Sequence, residues 1–245
     1  MSSLQVRKSA DRGYANHGWL ESYHSFSFAD YFDRKHMHFS ALRVINDDII
    51  APGQGFGMHP HRDMKIVTYI LQGELAHRDS IGNGSVIRAG DVQRMTAGSG
   101  IMHSEFNAST SYPVHLLQIW IMPEQVNLVP SYAEKHFSAE QKSNRWCLIA
   151  AGDDELGEDV LKVHQDMRLY ASILDTDNNL AYTVDDRRSA YLHIACGKIE
   201  LDGQVFESGD AVMLDGSAQL LIKAHERSEL LLFDLPLHRP LGSKN

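Results

Sequence analysis

Two short triplets concentrate the chemistry of this chain. His59-Pro60-His61 and His103-Ser104-Glu105 each place metal-type donors at positions i and i+2. On a strand, successive side chains point to opposite faces, so each pair shares a face and both members can turn inward. Three imidazoles and one carboxylate suit a transition metal such as Fe, Mn, Ni, Co, Cu or Zn, and an open coordination position permits catalysis. The chain holds 14 histidines in 245 residues, a density at which about one such triplet arises by chance. His36-Met37-His38 is read as that chance copy. It has no second donor pair nearby and is expected to supply loop or surface histidines.

Donors arranged in this way need strands to hold them, and the hydrophobic pattern provides strands almost throughout. Residues 41–46, 66–71, 85–88 and 114–122 are short, rich in β-branched or aromatic side chains, and bounded by Gly, Asn, Asp or Pro. Residues 168–174, 190–196, 211–214, 219–223 and 229–234 repeat the style. Residues 131–142, following Pro130, carry the one helical signal. An all-β barrel or sandwich is expected.

The two halves also resemble each other. Gly73 and the Gly90-Asp91 turn in the first half recur as Gly197 and Gly209-Asp210 in the second. We therefore expect an N-terminal metal-binding barrel over residues 1–125, a linker with a short helix over 126–145, and a C-terminal barrel over 146–245. Counting from these glycines, the positions matching His59, His61, His103 and Glu105 fall on Thr183, Asp185, Ile222 and Ala224. Those residues are no ligand set, although His225 lies one place away, so the second barrel is expected to be metal-free.

Glycine spacing then narrows the field. Gly53 precedes His59 by five intervening residues, while Gly90, Gly98, Gly100, His103 and Asn107 follow downstream. This resembles the two-motif signature of the cupin superfamily, with Thr96 standing where a proline is usual. His17-Gly-Trp-Leu20, Ser25-Phe-Ser-Phe-Ala29, Leu42-Arg-Val-Ile-Asn-Asp-Asp48, His59-Pro-His-Arg-Asp-Met64, Gly98-Ser-Gly-Ile-Met-His-Ser-Glu105 and Val163-His-Gln-Asp-Met167 are similar to segments of bacterial pirin-like bicupins. The branch they resemble is that of the quercetin 2,3-dioxygenases, over essentially the whole chain. The resemblance implies two tandem cupin barrels of the double-stranded β-helix or jelly-roll type. It also implies one metal, iron(II) by preference, whose ligands fall on His59, His61, His103 and Glu105. The implied activity opens the central ring of a flavonol with dioxygen and releases carbon monoxide, with Glu105 a candidate general base. The alternative is a redox-responsive, non-catalytic metal protein acting through a protein partner. Phe26, Phe28, Phe56 and Trp120 are candidates to line an apolar pocket. One position departs from the pattern: Lys65 stands where a glutamate is common. With Asp63 it either shares the His59/His61 face and favours an anionic substrate or a neighbouring carboxylate, or it snorkels to the barrel mouth or pairs with Asp63.

Composition excludes several other classes. The net charge of −9 gives no positive footprint for a phosphate backbone. The first twenty residues hold no continuous apolar core, and the longest apolar runs are far too short to span a bilayer. The expectation is a cytoplasmic, monomeric protein whose partners are a small aromatic or enol substrate and dioxygen, with neither nucleic acid nor membrane. Cys147 and Cys196 make no CxxC pair and are expected to pack as small hydrophobes. The acidic run from Asp153 to Asp159 lacks calcium-loop spacing and reads as a solvated loop. His164 is assigned a structural or inter-barrel hydrogen bond.

Overall fold

The computed structural model describes residues 4–152 and 159–238, so most of the acidic run 153–159 lies outside the described residues. The chain begins with β1 (Gln5–Arg7), β2 (Gly13–Asn16), β3 (Leu20–His24) and β4 (Leu42–Ile50). Next come β5 (Gly55–His61), β6 (Lys65–Gln72), β7 (Glu74–Asp79), β8 (Gly84–Arg88) and β9 (Asp91–Thr96). β10 (Ile101–Asn107), β11 (Val114–Ile121), β12 (Ser131–His136) and a single-turn helix, α1 (Ala139–Lys142), complete the first half. The second half contributes β13 (Cys147–Ala151), β14 (Leu161–Lys162), β15 (Arg168–Leu174), β16 (Asn179–Val184) and β17 (Arg188–Cys196). It ends with β18 (Lys198–Leu201), β19 (Gln204–Glu207), β20 (Ala211–Asp215), β21 (Ala218–Ala224) and β22 (Ser228–Pro236). No described helix is long and apolar enough to cross a membrane.

Each half is a large sheet faced by a small one. The strand orders are β12-β9-β6-β11-β4-β3-β2 with β5-β10-β7-β8, and β1-β20-β17-β22-β15-β13-β14 with β16-β21-β18-β19. Apart from the outermost strands of the large sheets, the second order repeats the first, so the glycine repeat seen in the sequence marks two cupin barrels of one topology. The edges are exchanged: β1, from the start of the chain, pairs with β20 of the second barrel, whereas β12 pairs with β9 of the first.

The expected helix over 131–142 is therefore corrected. Its first half is an edge strand, because Ser131 to His136 can satisfy their backbone groups on the open edge of β9. Only Ala139–Lys142 is helical, closed by a capping box in which Ser138 and Gln141 satisfy each other's backbone N–H groups.

The two large sheets face each other. Val67, Tyr69, Leu117 and Ile119 from the first barrel pack in one cluster with Leu169, Tyr191, Leu231 and Phe233 from the second. The alternate residues of the same strands turn into the barrel interiors. That double burial explains why β6, β11 and β22 read as continuous apolar runs instead of alternating ones. Polar ties cross the seam as well. The Lys142 ammonium donates to the Tyr69 hydroxyl at 2.8 Å and to Glu229 Oε1 at 3.0 Å, and Tyr69 in turn donates to Glu229. Gln165 Nε2 donates to the Met122 carbonyl at 2.6 Å. Asp210 holds Ser9 N at 2.7 Å, while Arg12, three residues on, reaches Asp47 at 3.1 Å.

Lys142→Met removes the cation from this seam and leaves the Glu229 carboxylate with Tyr69 but without its counter-charge, at a cost of about 2–3 kcal/mol. Urea denaturation of the single variant against Lys142→Met/Tyr69→Phe/Glu229→Leu measures it, and the triple variant is expected to recover most of the loss.

Candidate metal centre

β5 and β10 pair antiparallel with His59 opposite His103 and His61 opposite Ile101. The two triplets thereby meet on one inward face, with Pro60 and Met102 exposed on the other. Ring centroids of His59 and His103 are 4.5 Å apart, and His61 lies 4.8 Å from each of them. One donor atom from each of the three rings lies within 4.8 Å of the others.

Their proton states suit a cation. The Gly57 carbonyl, 2.7 Å from His59 Nδ1, can only accept, so His59 carries its proton on Nδ1 and leaves Nε2 bare. His103 Nε2 is buried with no hydrogen-bond partner. Burial, followed by the neighbouring imidazole of His59, pulls the pKa of His61 down to about 4. The same two causes, in that order, lower that of His103 further. Neutral rings with unused lone pairs at neutral pH are what a metal requires. An orphaned buried nitrogen among three imidazoles therefore passes as a fit to the metal expected from the sequence.

Glu105 follows a bulge between His103 and Glu105 on β10 and is 2% exposed. Its carboxylate crosses the barrel to the large sheet, where Gln118 Nε2 donates at 2.7 Å, Gln93 Nε2 at 3.3 Å and Thr68 Oγ1 at 3.4 Å. These three donors stand side by side on β9, β6 and β11: Gln93 opposite Thr68, and Thr68 opposite Gln118. Burial raises the Glu105 pKa, against the pull of the His77 and His59 imidazoles and of the two glutamine amides. Gly55 is required here, since a Cβ at this position would fall 2.2 Å from the Glu105 carbonyl oxygen.

The four donors singled out in the sequence do not form one tight set. Glu105 groups instead with His103 and His77, so two trios overlap at His103. His77 on β7 is the donor-type residue that motif reading missed. The i, i+2 parity of the other triplets also holds for His77-Arg78-Asp79, and that is the signal that reveals it. Gln93, Thr68 and Gln118 carry no such signal, because only the register of three strands brings them together.

The trio of rings opens onto a cavity of about 720 Å³. Its walls include Tyr14, Trp19, Phe28, Tyr31, Phe56 and Trp120. Trp120 meets His61 edge-on at 5.0 Å, and Phe28 meets Trp120 edge-on at 5.3 Å. Phe26 is elsewhere, packed against Tyr191 in the inter-barrel core. One wall is polar: Ser22, His24, Asn46 and Asp48. Burial pushes the Asp48 carboxyl up to about 7, opposed by the hydroxyl that Ser22 donates to it.

Neither placement expected for Lys65 occurs. Residues 62–64 turn between β5 and β6, with Asp63 in the left-handed region at φ 46°, and strand parity does not survive the turn. Lys65 shares its face with Val67 and Tyr69 and is 0% exposed, donating to Thr96 Oγ1 at 3.1 Å. Arg94 donates to the same hydroxyl at 3.3 Å. Asp63 stays outside the cavity lining and accepts from Asn127 N at 2.6 Å at the barrel rim.

The remaining histidines of interest are dispersed. His36 pairs with Asp33 at 2.6 Å and His38 Nδ1 meets the Ser40 carbonyl at 3.1 Å, both away from the ring trio. The inter-barrel bond expected of His164 is made by its neighbour Gln165. In the second barrel Ile222 and Ala224 pack into an apolar cluster, while Thr183 and Asp185 are exposed. Cys147 and Cys196 are free and half-buried, their thiols raised by burial.

Burial lowers the Lys65 pKa from 10.5 to about 8, with the Arg94 charge as a second cause. Between those values the unfolded chain binds the extra proton, so stability rises with pH across this window. At neutral pH the buried ammonium costs about 3 kcal/mol. Lys65→Met is expected to be the more stable protein below pH 8 and to lose the rise above it, as read from urea denaturation of both proteins over pH 7 to 10.5.

Comparison with known proteins agrees with this architecture. Residues 5–121 match the family model Pirin, and residues 148–235 match that of the Quercetinase C-terminal cupin domain. A quercetin 2,3-dioxygenase of Escherichia coli K12 is 45% identical over 233 residues, covering 95% of this chain and 99% of that one. The crystal structure of YhhW from E. coli aligns with a TM-score of 0.90 at 44% identity, covering 97% of this chain and 100% of that chain. That of bacterial pirin YhhW in complex with nickel(II) aligns at 0.89 with 43% identity, covering 96% and 100%.

Proposed function

The chain belongs to the pirin family of two-barrel cupins, and from that premise we propose that it is a metal-dependent dioxygenase opening the central ring of a flavonol such as quercetin, or of a related enol or phenol. The observation that carries this reading is the junction of three imidazoles with an aromatic-walled cavity of about 720 Å³. That size lies within the range that encloses a drug-sized ring system.

His59, His61 and His103 would hold the metal, with Glu105, which groups with His103 and His77, as the carboxylate beside it. A bound divalent transition metal supplies Lewis acidity toward an enol oxygen and a redox partner for dioxygen. Imidazole and carboxylate donors suit iron(II) and nickel(II) alike. Iron(II) is our assignment, and the nickel(II) held by the E. coli relative is its direct competitor.

The chain's own residues do the rest. Tyr14, Trp19, Phe28 and Phe56 enclose flat rings and exclude water. Glu105, its proton affinity raised by burial, accepts the proton of the substrate's enol hydroxyl. Gln118 and Gln93 hold that carboxylate in place through the transfer. The polar wall of Ser22, His24, Asn46 and Asp48 offers hydrogen-bonding groups to the substrate's other hydroxyls.

The test is quercetin consumption with carbon monoxide release, under air, by protein loaded in turn with Fe, Mn, Ni, Co and Cu. His61→Ala is expected to lose stoichiometric metal and turnover together, while His36→Ala changes neither. Glu105→Gln is expected to lower kcat by about 10²–10⁴. No turnover with any of these metals would overturn the flavonol reading and favour the metal-dependent regulator instead.

A further inference from the structure

His77 has no role in the function proposed above, yet it is 1% exposed and lies between a metal-type histidine and a carboxylate. Its Nδ1 is 3.5 Å from His103 Nδ1, and its Nε2 is 3.5 Å from Asp79 Oδ2. The ring is stacked on Tyr132 at 4.7 Å with an interplanar angle of 21°, which fixes its plane. Asp79 is itself immobilised. Its side chain is 0% exposed, Oδ1 accepts from Ile81 N at 3.0 Å and Asn83 N at 2.9 Å, and Oδ2 accepts from Asn83 Nδ2 at 2.8 Å. The contact with His103 follows from the pairing of β7 with β10, which sets Asp79 opposite His103 and His77 opposite Glu105.

Proton positions along this chain are determined from its outer end. A carboxylate only accepts, so the His77 nitrogen facing Asp79 carries the hydrogen. A neutral His77 then presents a bare Nδ1. Two ring nitrogens in contact need one hydrogen between them, which places it on His103 Nδ1. The lone pair of His103 therefore sits on Nε2, the buried atom that has no other partner.

We propose that Asp79 and His77 are positioning residues forming a relay, Asp79 to His77 to His103, that fixes the tautomer and ring orientation of His103 for metal binding. Carboxylates acting through a ligand imidazole raise its basicity and hold its angle, and losing such a partner typically weakens metal binding 10–100-fold. Here the carboxylate acts through two rings in series. The relay also accounts for the hairpin tip joining β7 and β8, whose turn holds Asp79 through three hydrogen bonds. The proposal rests on His103 being a ligand, as read above, and is independent of which substrate is turned over.

The experiment uses cobalt(II) as the probe. Purified full-length protein is stripped, reloaded, and titrated against a chromophoric chelator, and the visible d–d absorption is recorded. His77→Phe keeps the stack on Tyr132 but offers no acceptor to His103. It is expected to bind cobalt 10–100-fold more weakly, with shifted d–d bands and an unchanged melting temperature of the metal-free form. His77→Asn, which restores an acceptor near the Nδ1 position, is expected to recover most of the affinity and the spectrum. Asp79→Asn replaces one acceptor by a donor, reverses the His77 tautomer, and is expected to weaken binding in the same direction. It provides the test should His77→Phe fail to fold. Wild-type affinity and spectrum in His77→Phe, or in Asp79→Asn, would overturn the relay. So would two cobalt ions per wild-type chain with one lost in His77→Phe, since His77 would then be a ligand itself. If the wild type binds no cobalt and His61→Ala changes nothing, the ligand reading of His103 fails, and that result is distinct from failure of the relay alone.

Discussion

A carboxylate sealed inside a β-barrel is the constraint to which much of the first half conforms. Glu105 is 2% exposed, and burying an unpaired carboxylate costs several kcal/mol. The barrel compensates with two glutamine amides, a threonine hydroxyl and the His77 and His59 imidazoles, drawn from five other strands. Such compensation exists in one register only. A slip of β6 by one residue would replace Thr68 with Val67 or Tyr69 and turn the interface residues into the site. The polar row Gln93–Thr68–Gln118, continued by Asn46 and His24 on β4 and β3, therefore pins the sheet as firmly as it holds the glutamate.

The second barrel shows the same topology without that constraint. At the positions counted to His103 and Glu105 it has Ile222 and Ala224, both within an apolar cluster that includes Leu192, Leu220 and Leu232. With no carboxylate at these positions to satisfy, Leu192, Val212 and Leu232 stand where the first barrel has its polar row, and they close by apolar packing. Its large sheet then serves the first barrel from outside. By burying Val67, Tyr69, Leu117 and Ile119, it stiffens β6 and β11, whose other faces carry Thr68 and Gln118 to the carboxylate. A barrel without the donor triplets thus bears on the geometry of the one that has them.

What the sequence reveals follows how each feature is encoded. Strand parity is local, so His59, His61 and His103 were readable from i, i+2 spacing, and their meeting in one trio follows from the pairing of two strands. Glycines at turns are local too, and they exposed the repeat from which the two-barrel architecture was inferred. Register is not local. Gln93, Thr68 and Gln118 lie 25 and 50 residues apart along the chain and become neighbours only through strand pairing. Residues 131–136 misled for a related reason: their intrinsic pattern permits a helix, and the open edge of β9, remote in sequence, makes them a strand. Phe26 shows the limit of residue type as a guide, since an aromatic side chain suits an inter-barrel core as well as a pocket wall.

Lys65 sharpens the same point. A motif records spacing along the chain, whereas chemistry depends on the face a residue presents. The turn at 62–64 reverses the parity that begins at His59, and Lys65 consequently faces the second barrel and not the cavity. There it shares Thr96 Oγ1 with Arg94, so two cationic groups converge on one hydroxyl with no carboxylate hydrogen-bonded to either among the described residues. A glutamate at this position would neutralise Arg94 at the seam between barrels. The departure from the family pattern therefore bears on the stability of the interface and lies away from the histidine trio. An unusual residue inside a catalytic motif is evidence about catalysis only after its face is known.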